Sequence, residues 1–209
     1  GLTIQPLKGM ETEDWYPAPD KIYASNLALE TTAQLQQTDI FPSVKEAVPA
    51  TGKEGFAIEN KVKLTFHPDF ANEAELLKEK LATIHGLEVV SEAPVTVYLD
   101  YFPERETAVN GEYYRIDTGN GLINISASTS HGIFNGTQTL LSLLKGQEKP
   151  FRLEALSIRD YPDLPYRGQM LDIARNFTTV EHLKKLVDVI SSYKLNVLHF
   201  HFSDDEGWR

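Results

Sequence analysis

The sequence has no cysteine, which rules out disulfide bonds and thiolate metal sites but says little about compartment, since many secreted proteins also lack cysteine. No stretch approaches the ~20 consecutive apolar residues of a membrane helix. The longest candidate, Asn196 to Phe202, has the length of a strand and carries two histidines, so no membrane span is expected. The chain starts at Gly1 rather than Met and has no charged start followed by an apolar run, so a signal peptide is expected to be absent or already removed. Clusters of Lys and Arg are also missing. Net charge is −10, and it is unevenly spread. From Pro162 onward six Lys and Arg face seven Asp and Glu, which leaves nearly all of the excess in the earlier part. So acidic a surface repels phosphate backbones, which argues against nucleic acid as a partner and favours a neutral substrate. At 41% apolar and 24% charged residues, the chain can bury one substantial core or two smaller ones and is not a disordered polymer.

Residues 1–50 are rich in Thr, Gln, Pro and Asp with weak periodicity, so they read as an extended lead-in with one strand or short helix. From Gly55 the pattern tightens. Phe56–Ile58 and Val62–Phe66 read as short strands, and Ala71–Ile84 as an amphipathic helix with Leu77, Leu81 and Ile84 on one face and Gly86 as its stop. Val95, Val97 and Leu99 alternate with polar neighbours in the next strand. Tyr113–Ile116 and Leu122–Ala127 flank Thr118-Gly-Asn-Gly121, a strong hairpin signal. A second helix follows over His131–Lys145, with Ile133, Leu140, Leu141 and Leu144 on one face, then one strand over Phe151–Ile158. This order predicts an α+β domain over 51–161, with helices on one face of a mainly antiparallel sheet.

The final segment, 162–209, has a different grammar. Gly168–Ile173 reads as a strand, Thr179–Tyr193 as a helix and Asn196–Phe202 as a second strand, which makes one βαβ unit with parallel strands. Thr178 with Glu181 gives a capping-box pattern, and Val180, Leu183, Val187 and Ile190 form a stripe expected to be buried. In parallel α/β folds the chemistry gathers at the C-terminal ends of the strands. Here those ends carry Asp172 and Arg175 on the first strand, and His201, Asp204, Asp205, Glu206 and Trp208 on the second.

Two stretches carry a family resemblance: Tyr166-Arg-Gly-Gln-Met-Leu-Asp-Ile-Ala-Arg-Asn-Phe177 and Tyr193-Lys-Leu-Asn-Val-Leu-His-Phe-His-Phe-Ser-Asp-Asp-Glu-Gly-Trp-Arg209. They closely resemble the opening of glycoside hydrolase family 20, the β-N-acetylhexosaminidases. More loosely, Gly132-Ile-Phe-Asn-Gly-Thr-Gln-Thr-Leu-Leu141 resembles a helix of that family's accessory domain. The resemblance implies an accessory α+β domain followed by the first βαβ unit of a (β/α)8 TIM barrel, truncated at Arg209. It also implies hydrolysis of terminal β-linked GlcNAc or GalNAc from a glycan by the full-length protein, in a retaining mechanism where the substrate's acetamido oxygen attacks. On that reading Arg175 binds the sugar's 3- and 4-hydroxyls, and Asp204 orients a histidine that supports the catalytic acid. Asp172, His201, Asp205, Glu206 and Trp208 form a second tier. The family's catalytic Asp-Glu pair has no counterpart among these residues, so the 209-residue chain alone is expected to be inactive. Asn176 departs from the family, where a histidine usually follows the arginine.

No cofactor and no metal is implied; His199 and His201 alternate to one side of their strand, but two ligands are too few. An extracellular or periplasmic location follows from the implied activity. Two other readings stay open on the residues alone. An arginine bridged to Asp172 or Asp204 for structural reasons would look the same, and the chain could be a non-catalytic carbohydrate-binding or interaction module. Oligomeric state is not encoded in any pattern here.

Overall fold

A computed structural model describes residues 21, 23–25, 40–103 and 108–205, together with the backbone of 207 and 208. The chain falls into two compact units, 1–38 and 39–209. In the first, the described positions 21 and 23–25 are helical; the remainder of the lead-in up to position 39 lies outside the described residues. Among the described residues no helix is long and apolar enough to cross a membrane.

The second unit is built on a seven-stranded sheet. Its strands are β1 (Glu46–Pro49), β3 (Lys61–Phe66), β4 (Glu88–Val90), β5 (Thr96–Tyr101), β6 (Tyr114–Gly119), β7 (Leu122–Ala127) and β9 (Leu156–Asp160), in the order β1-β9-β6-β7-β5-β3-β4. A small separate sheet pairs β2 (Phe56–Ile58) with β8 (Phe151–Leu153). The expected antiparallel character holds for only half of the large sheet. β1-β9, β9-β6 and β6-β7 are antiparallel, whereas β7-β5, β5-β3 and β3-β4 are parallel, so the sheet is mixed. The hairpin signal fixed only its own pair: Asn120 and Gly121 both take left-handed φ, 53° and 78°, which suits a two-residue loop between Gly119 and Leu122. On the other side a helix links β3 to β4, and a helical crossover brings the chain back parallel.

Two helices cover one face of the sheet and pack on each other: α1 (Ala71–His85) and α2 (Ser130–Leu144). Alternate residues Val97, Leu99, Ile116, Ile123, Ile125 and Ile158 point beneath them and are buried. Each such side chain contributes about 1.5–3 kcal/mol of burial. α1 buries Ala74, Leu77 and Leu81, while Ile84 is 62% exposed. Ile84 stays on the side of Leu77, seven residues away, but at the end of the helix it lines a groove with Phe41, Leu141 and Tyr193 and is left uncovered, contrary to the burial expected. Gly86 ends α1 in the left-handed conformation, its N–H and that of Leu87 satisfying the carbonyls of Ala82 and Leu81. α2 buries Ile133, Leu140, Leu141 and Leu144 as expected. Its two glycines have a steric purpose: a Cβ at Gly132 would lie 2.6 Å from the Tyr113 carbonyl oxygen, and one at Gly136 would lie 2.5 Å from Ile125 Cγ2. The helix can lie this close to the sheet only where side chains are missing.

The single strand read over Phe151–Ile158 is two strands. β8 and β9 belong to different sheets, and the chain turns between them where the Thr118 hydroxyl donates to the Glu154 carbonyl at 2.6 Å. The apolar positions change phase across the break, from 151 and 153 to 156 and 158, a sign that one continuous strand does not fit this stretch.

The last segment supplies β10 (Gly168–Asp172), α3 (Val180–Ser192) and β11 (Val197–His201), with β10 and β11 parallel as expected. Thr179, not Thr178, caps α3: its backbone is extended and its hydroxyl accepts from the His182 N–H. Glu181 then stands in the first turn, where a negative charge suits the helix dipole. The expected buried stripe is absent. No residue of α3 is buried, and Val180 and Val187 are exposed while Leu183, Leu186 and Ile190 are half-covered. The helix meets the mixed-sheet part of the fold through Asp188, which accepts from Lys80 of α1 at 3.0 Å.

Buried charges join this segment to the mixed sheet. The Lys194 ammonium donates to Asp160 Oδ2 at 2.8 Å and to the Tyr114 hydroxyl at 2.7 Å, and that hydroxyl donates to the same carboxylate oxygen at 2.7 Å. Lys194 itself has a left-handed backbone, φ 59°, an unusual state for a residue with a side chain. Burial pulls its ammonium below the usual lysine range, and Asp160 opposes that shift. Beside it, the Arg167 guanidinium forms a bidentate pair with Glu112, donating from Nη1 to Oε1 and from Nη2 to Oε2.

Candidate functional site

β10 ends in an aspartate that folds the chain over itself. Asp172 Oδ1 accepts from the N–H groups of Ala174 and Arg175, both at 3.1 Å, a side-chain turn typical of Asp after a strand. The parallel neighbour helps: the His201 carbonyl accepts from the N–H groups of Ile173 and Ala174 at 3.1 Å, and both residues are buried. The loop that presents Arg175 is thereby fixed to the ends of both strands.

The second strand runs into a tight hairpin, β12 (Ser203–Asp204) paired with β13 (Gly207–Trp208). Asp204 Oδ1 accepts from the Asp205 N–H at 2.6 Å, which anchors the carboxylate at the turn. Its Oδ2 is then 3.0 Å from His201 Nε2 and 3.4 Å from Arg175 Nε. Arg175 Nε donates to Asp172 Oδ2 at 2.6 Å. Four of the residues singled out in the sequence, Asp172, Arg175, His201 and Asp204, thus converge on one cluster at the C-terminal ends of the parallel strands. Asp172 and His201 are register partners across β10 and β11. Asp205 contributes its backbone to the turn, and its side chain is exposed. Glu206 and the Trp208 side chain lie outside the described residues. His199 pairs in register with Met170 one step down the strand and is exposed.

The electrostatics define what the cluster can do. The Asp172 carboxyl is held below its usual value, first by the backbone bond from Arg175 and then by the arginine's side-chain bond and charge, which together outweigh partial desolvation. The Asp204 carboxyl is likewise lowered, chiefly by the Asp205 N–H and then by His201. Arg175 is pushed in the opposite direction, mainly by its bond to Asp172, so it stays a cation throughout. A general acid working near neutral pH needs a raised carboxyl pKa, and neither aspartate has one. This is a fixed cation with two anionic supports, suited to orienting a ligand and not to donating a proton. Among the described residues no group of three His, Cys, Asp or Glu side chains is placed to hold a metal ion.

The structural bridge and the binding role do not compete. Asp172 and Asp204 engage the Nε side of the guanidinium, and among the described residues Nη1 and Nη2 have no partner. Four N–H donors therefore stay available in a rigid plane. Both carboxylates should titrate below 3.8, the usual aspartate value, and Arg175→Ala should move the Asp172 midpoint upward. Because the folded pKa values are depressed, the order they supply is complete above about pH 4 and is lost as pH falls through the lowered midpoints. Carboxyl ¹³C shifts followed against pH measure this, and a midpoint at or above 3.8 for Asp172 contradicts the geometry.

Glu112, Arg167, Asp160 and Lys194 had no sequence signal. They are isolated polar residues at the edges of elements, and only the packed structure brings them together.

Comparison with known proteins bears on both parts of the chain. The family profile described as glycosyl hydrolase family 20, domain 2, matches residues 37–161, and that of the glycosyl hydrolase family 20 catalytic domain matches residues 164–209. A β-hexosaminidase of Porphyromonas gingivalis is 31% identical over 146 residues, 65% of this chain and 19% of that protein. An N,N'-diacetylchitobiase of Vibrio harveyi is 36% identical over 131 residues, 61% of this chain and 14% of that protein. The crystal structure of an exo β-N-acetylglucosaminidase from Vibrio harveyi in complex with N-acetylglucosamine superposes with a TM-score of 0.69 at 33% identity, over 82% of this chain and 26% of that one. The chain thus spans a fifth or less of the two curated relatives.

Proposed function

Because this chain belongs to glycosyl hydrolase family 20, with its domain 2 and the start of its catalytic domain, we propose that it forms part of a β-N-acetylhexosaminidase that removes terminal β-linked N-acetylhexosamine from glycans. In this reading β10, α3 and β11 open a (β/α)8 barrel, and their C-terminal ends form part of the sugar site. Arg175 binds adjacent hydroxyls of the terminal sugar, with Asp172 and Asp204 holding its guanidinium. The observation that carries the reading is this pre-oriented arginine, whose Nη donors stay available while its Nε side is fixed by Asp172 at 2.6 Å. A planar fork of donors suits a pair of neighbouring hydroxyls on a neutral ring, and the acidic surface is compatible with an uncharged substrate.

The mechanism proposed is substrate-assisted and retaining: the acetamido oxygen of the sugar attacks the anomeric carbon, and a neighbouring Asp-Glu pair assists and protonates the leaving group. Asp172 and Asp204, with their depressed carboxyls, do not act as that acid, and the pair is assigned here to residues outside these 209. Asp204 acts on a histidine. Within this chain it bonds His201, and in the whole protein the histidine supporting the acid is a further partner.

A chromogenic β-N-acetylglucosaminide assayed with the 209-residue chain and with the whole protein tests the proposal. Turnover is expected from the whole protein alone. Turnover by the fragment, or none by the whole, sinks it. The alternative, a carbohydrate-binding module without catalysis, draws on the same pre-positioned arginine, but the outer edges of β10 and β11, unpaired among the described residues, count against an independent module. Calorimetry of the monodisperse 209-residue chain with GlcNAc separates the two, because binding there favours the module.

A further inference from the structure

The two strands that carry the site are also gripped at their opposite ends, and by the accessory domain. Arg167 is the residue before β10. Its guanidinium binds both oxygens of Glu112, and its Nε donates to the Lys194 carbonyl at 2.8 Å while Nη1 also reaches the Leu164 carbonyl at 2.8 Å. One side chain thus ties the head of β10, the approach to β11 and the segment leading into β6. Asn196, the residue before β11, closes the arrangement: its Oδ1 accepts from the Arg167 N–H at 3.0 Å, and its Nδ2 donates to the Pro165 carbonyl at 2.8 Å and lies 3.5 Å from Glu112 Oε1. Glu112 is held in turn from α2, by Asn135 Nδ2 at 3.1 Å and by His131 Nε2 at 3.4 Å. The second clamp is Lys194 on Asp160 and Tyr114, with the Tyr114 hydroxyl also 2.6 Å from the Thr139 hydroxyl of α2.

We propose that Glu112 is a positioning residue for the sugar site: through its pair with Arg167, the accessory domain fixes the axial placement and register of β10 against β11, and so aligns Arg175 with Asp204. The proposal rests on the reading that Arg175 binds substrate. Glu112 does not approach the site, since five strand residues separate Arg167 from the end of β10, about 16 Å at the usual rise. Its influence must pass along the strands. The path is short, because Asp172 and His201 are register partners and Arg175 is bonded to Asp172. A one-residue slip of β10 would turn each of its side chains to the other face, and a shift of a fraction of a residue would misalign the guanidinium. Small misplacements of a binding group are costly to turnover.

The test is a coupling experiment in the whole protein. Glu112→Gln keeps the shape of the side chain but no longer neutralises Arg167. Its kcat/KM on a chromogenic N-acetylglucosaminide should fall about tenfold, and the same substitution in an Arg175→Lys background should cost less than twofold, because the alignment it provides is no longer used. Arg167→Lys, which keeps the charge and loses the fork, should show the same non-additivity with a smaller loss. Equal losses in both backgrounds, or no loss from Glu112→Gln, overturn the proposal. A second readout is independent of activity: the ¹⁵N resonance of Arg175 Nε should shift in Glu112→Gln. If the whole protein hydrolyses nothing, the functional reading fails, and an unshifted Nε resonance then overturns the positioning role as well, whereas a shifted one upholds the alignment by itself.

Discussion

Replacing Arg175 with alanine in the whole protein should lower kcat/KM for a β-N-acetylglucosaminide by about 10²-fold, since each charge-assisted bond to a hydroxyl is worth on the order of tenfold or more and two hydroxyls lose their partner. Arg175→Lys should recover little of it. An ammonium is a point donor, and the residue would have to serve Asp172, Asp204 and two hydroxyls from one nitrogen. Asp172→Asn offers a finer measurement. It keeps an oxygen for the turn bonds to Ala174 and Arg175 but weakens the hold on Nε, so its loss should be smaller than that of Arg175→Ala and should lie mainly in KM. Steady-state kinetics on the three variants checks the order. If Arg175→Ala turns over within threefold of the parent, the guanidinium is only a structural bridge between two aspartates.

The site was more legible in the sequence than the sheet that supports it. Asp172 and His201 close strands, and Arg175 and Asp204 follow them, at ends whose positions periodicity gives well, and polar residues gathered there are a signal in themselves. Helix stops and turns were readable for the same local reason: Gly86 in its left-handed cap and the Asn120-Gly121 turn are where the pattern put them. Strand order was not. Nothing local says that β5 lies between β3 and β7, or that the three-residue β4 exists, because pairing partners are chosen by packing over long separations. β1 was equally hidden, since Val48 is exposed and Pro49 ends the strand at a sheet edge, where alternation carries little information. The stripe on α3 failed for a different cause. An amphipathic pattern reports which face wants burial, not whether this chain supplies a partner for it, and of the apolar residues here only Leu183, Leu186 and Ile190 are even half-covered.

The junction between the two parts should be the most sensitive point of the fold. Asp160→Ala leaves the Lys194 ammonium, itself only 10% exposed, without its counter-charge, and breaking a buried pair from one side typically costs about 3–5 kcal/mol. For a unit of this size that is a fall of roughly 6–20 °C in Tm. The cost belongs to the stranded charge, not to the attraction that was lost. Removing both charges with Asp160→Ala and Lys194→Met together should therefore recover most of the stability, because an apolar side chain in that place needs no counter-ion, and Tyr114 keeps its contact with Thr139. Thermal unfolding of the two single variants and the double variant decides the matter. A double variant as unstable as Asp160→Ala would mean that the attraction itself, and not the cost of an unpaired buried ammonium, holds the final segment to the sheet.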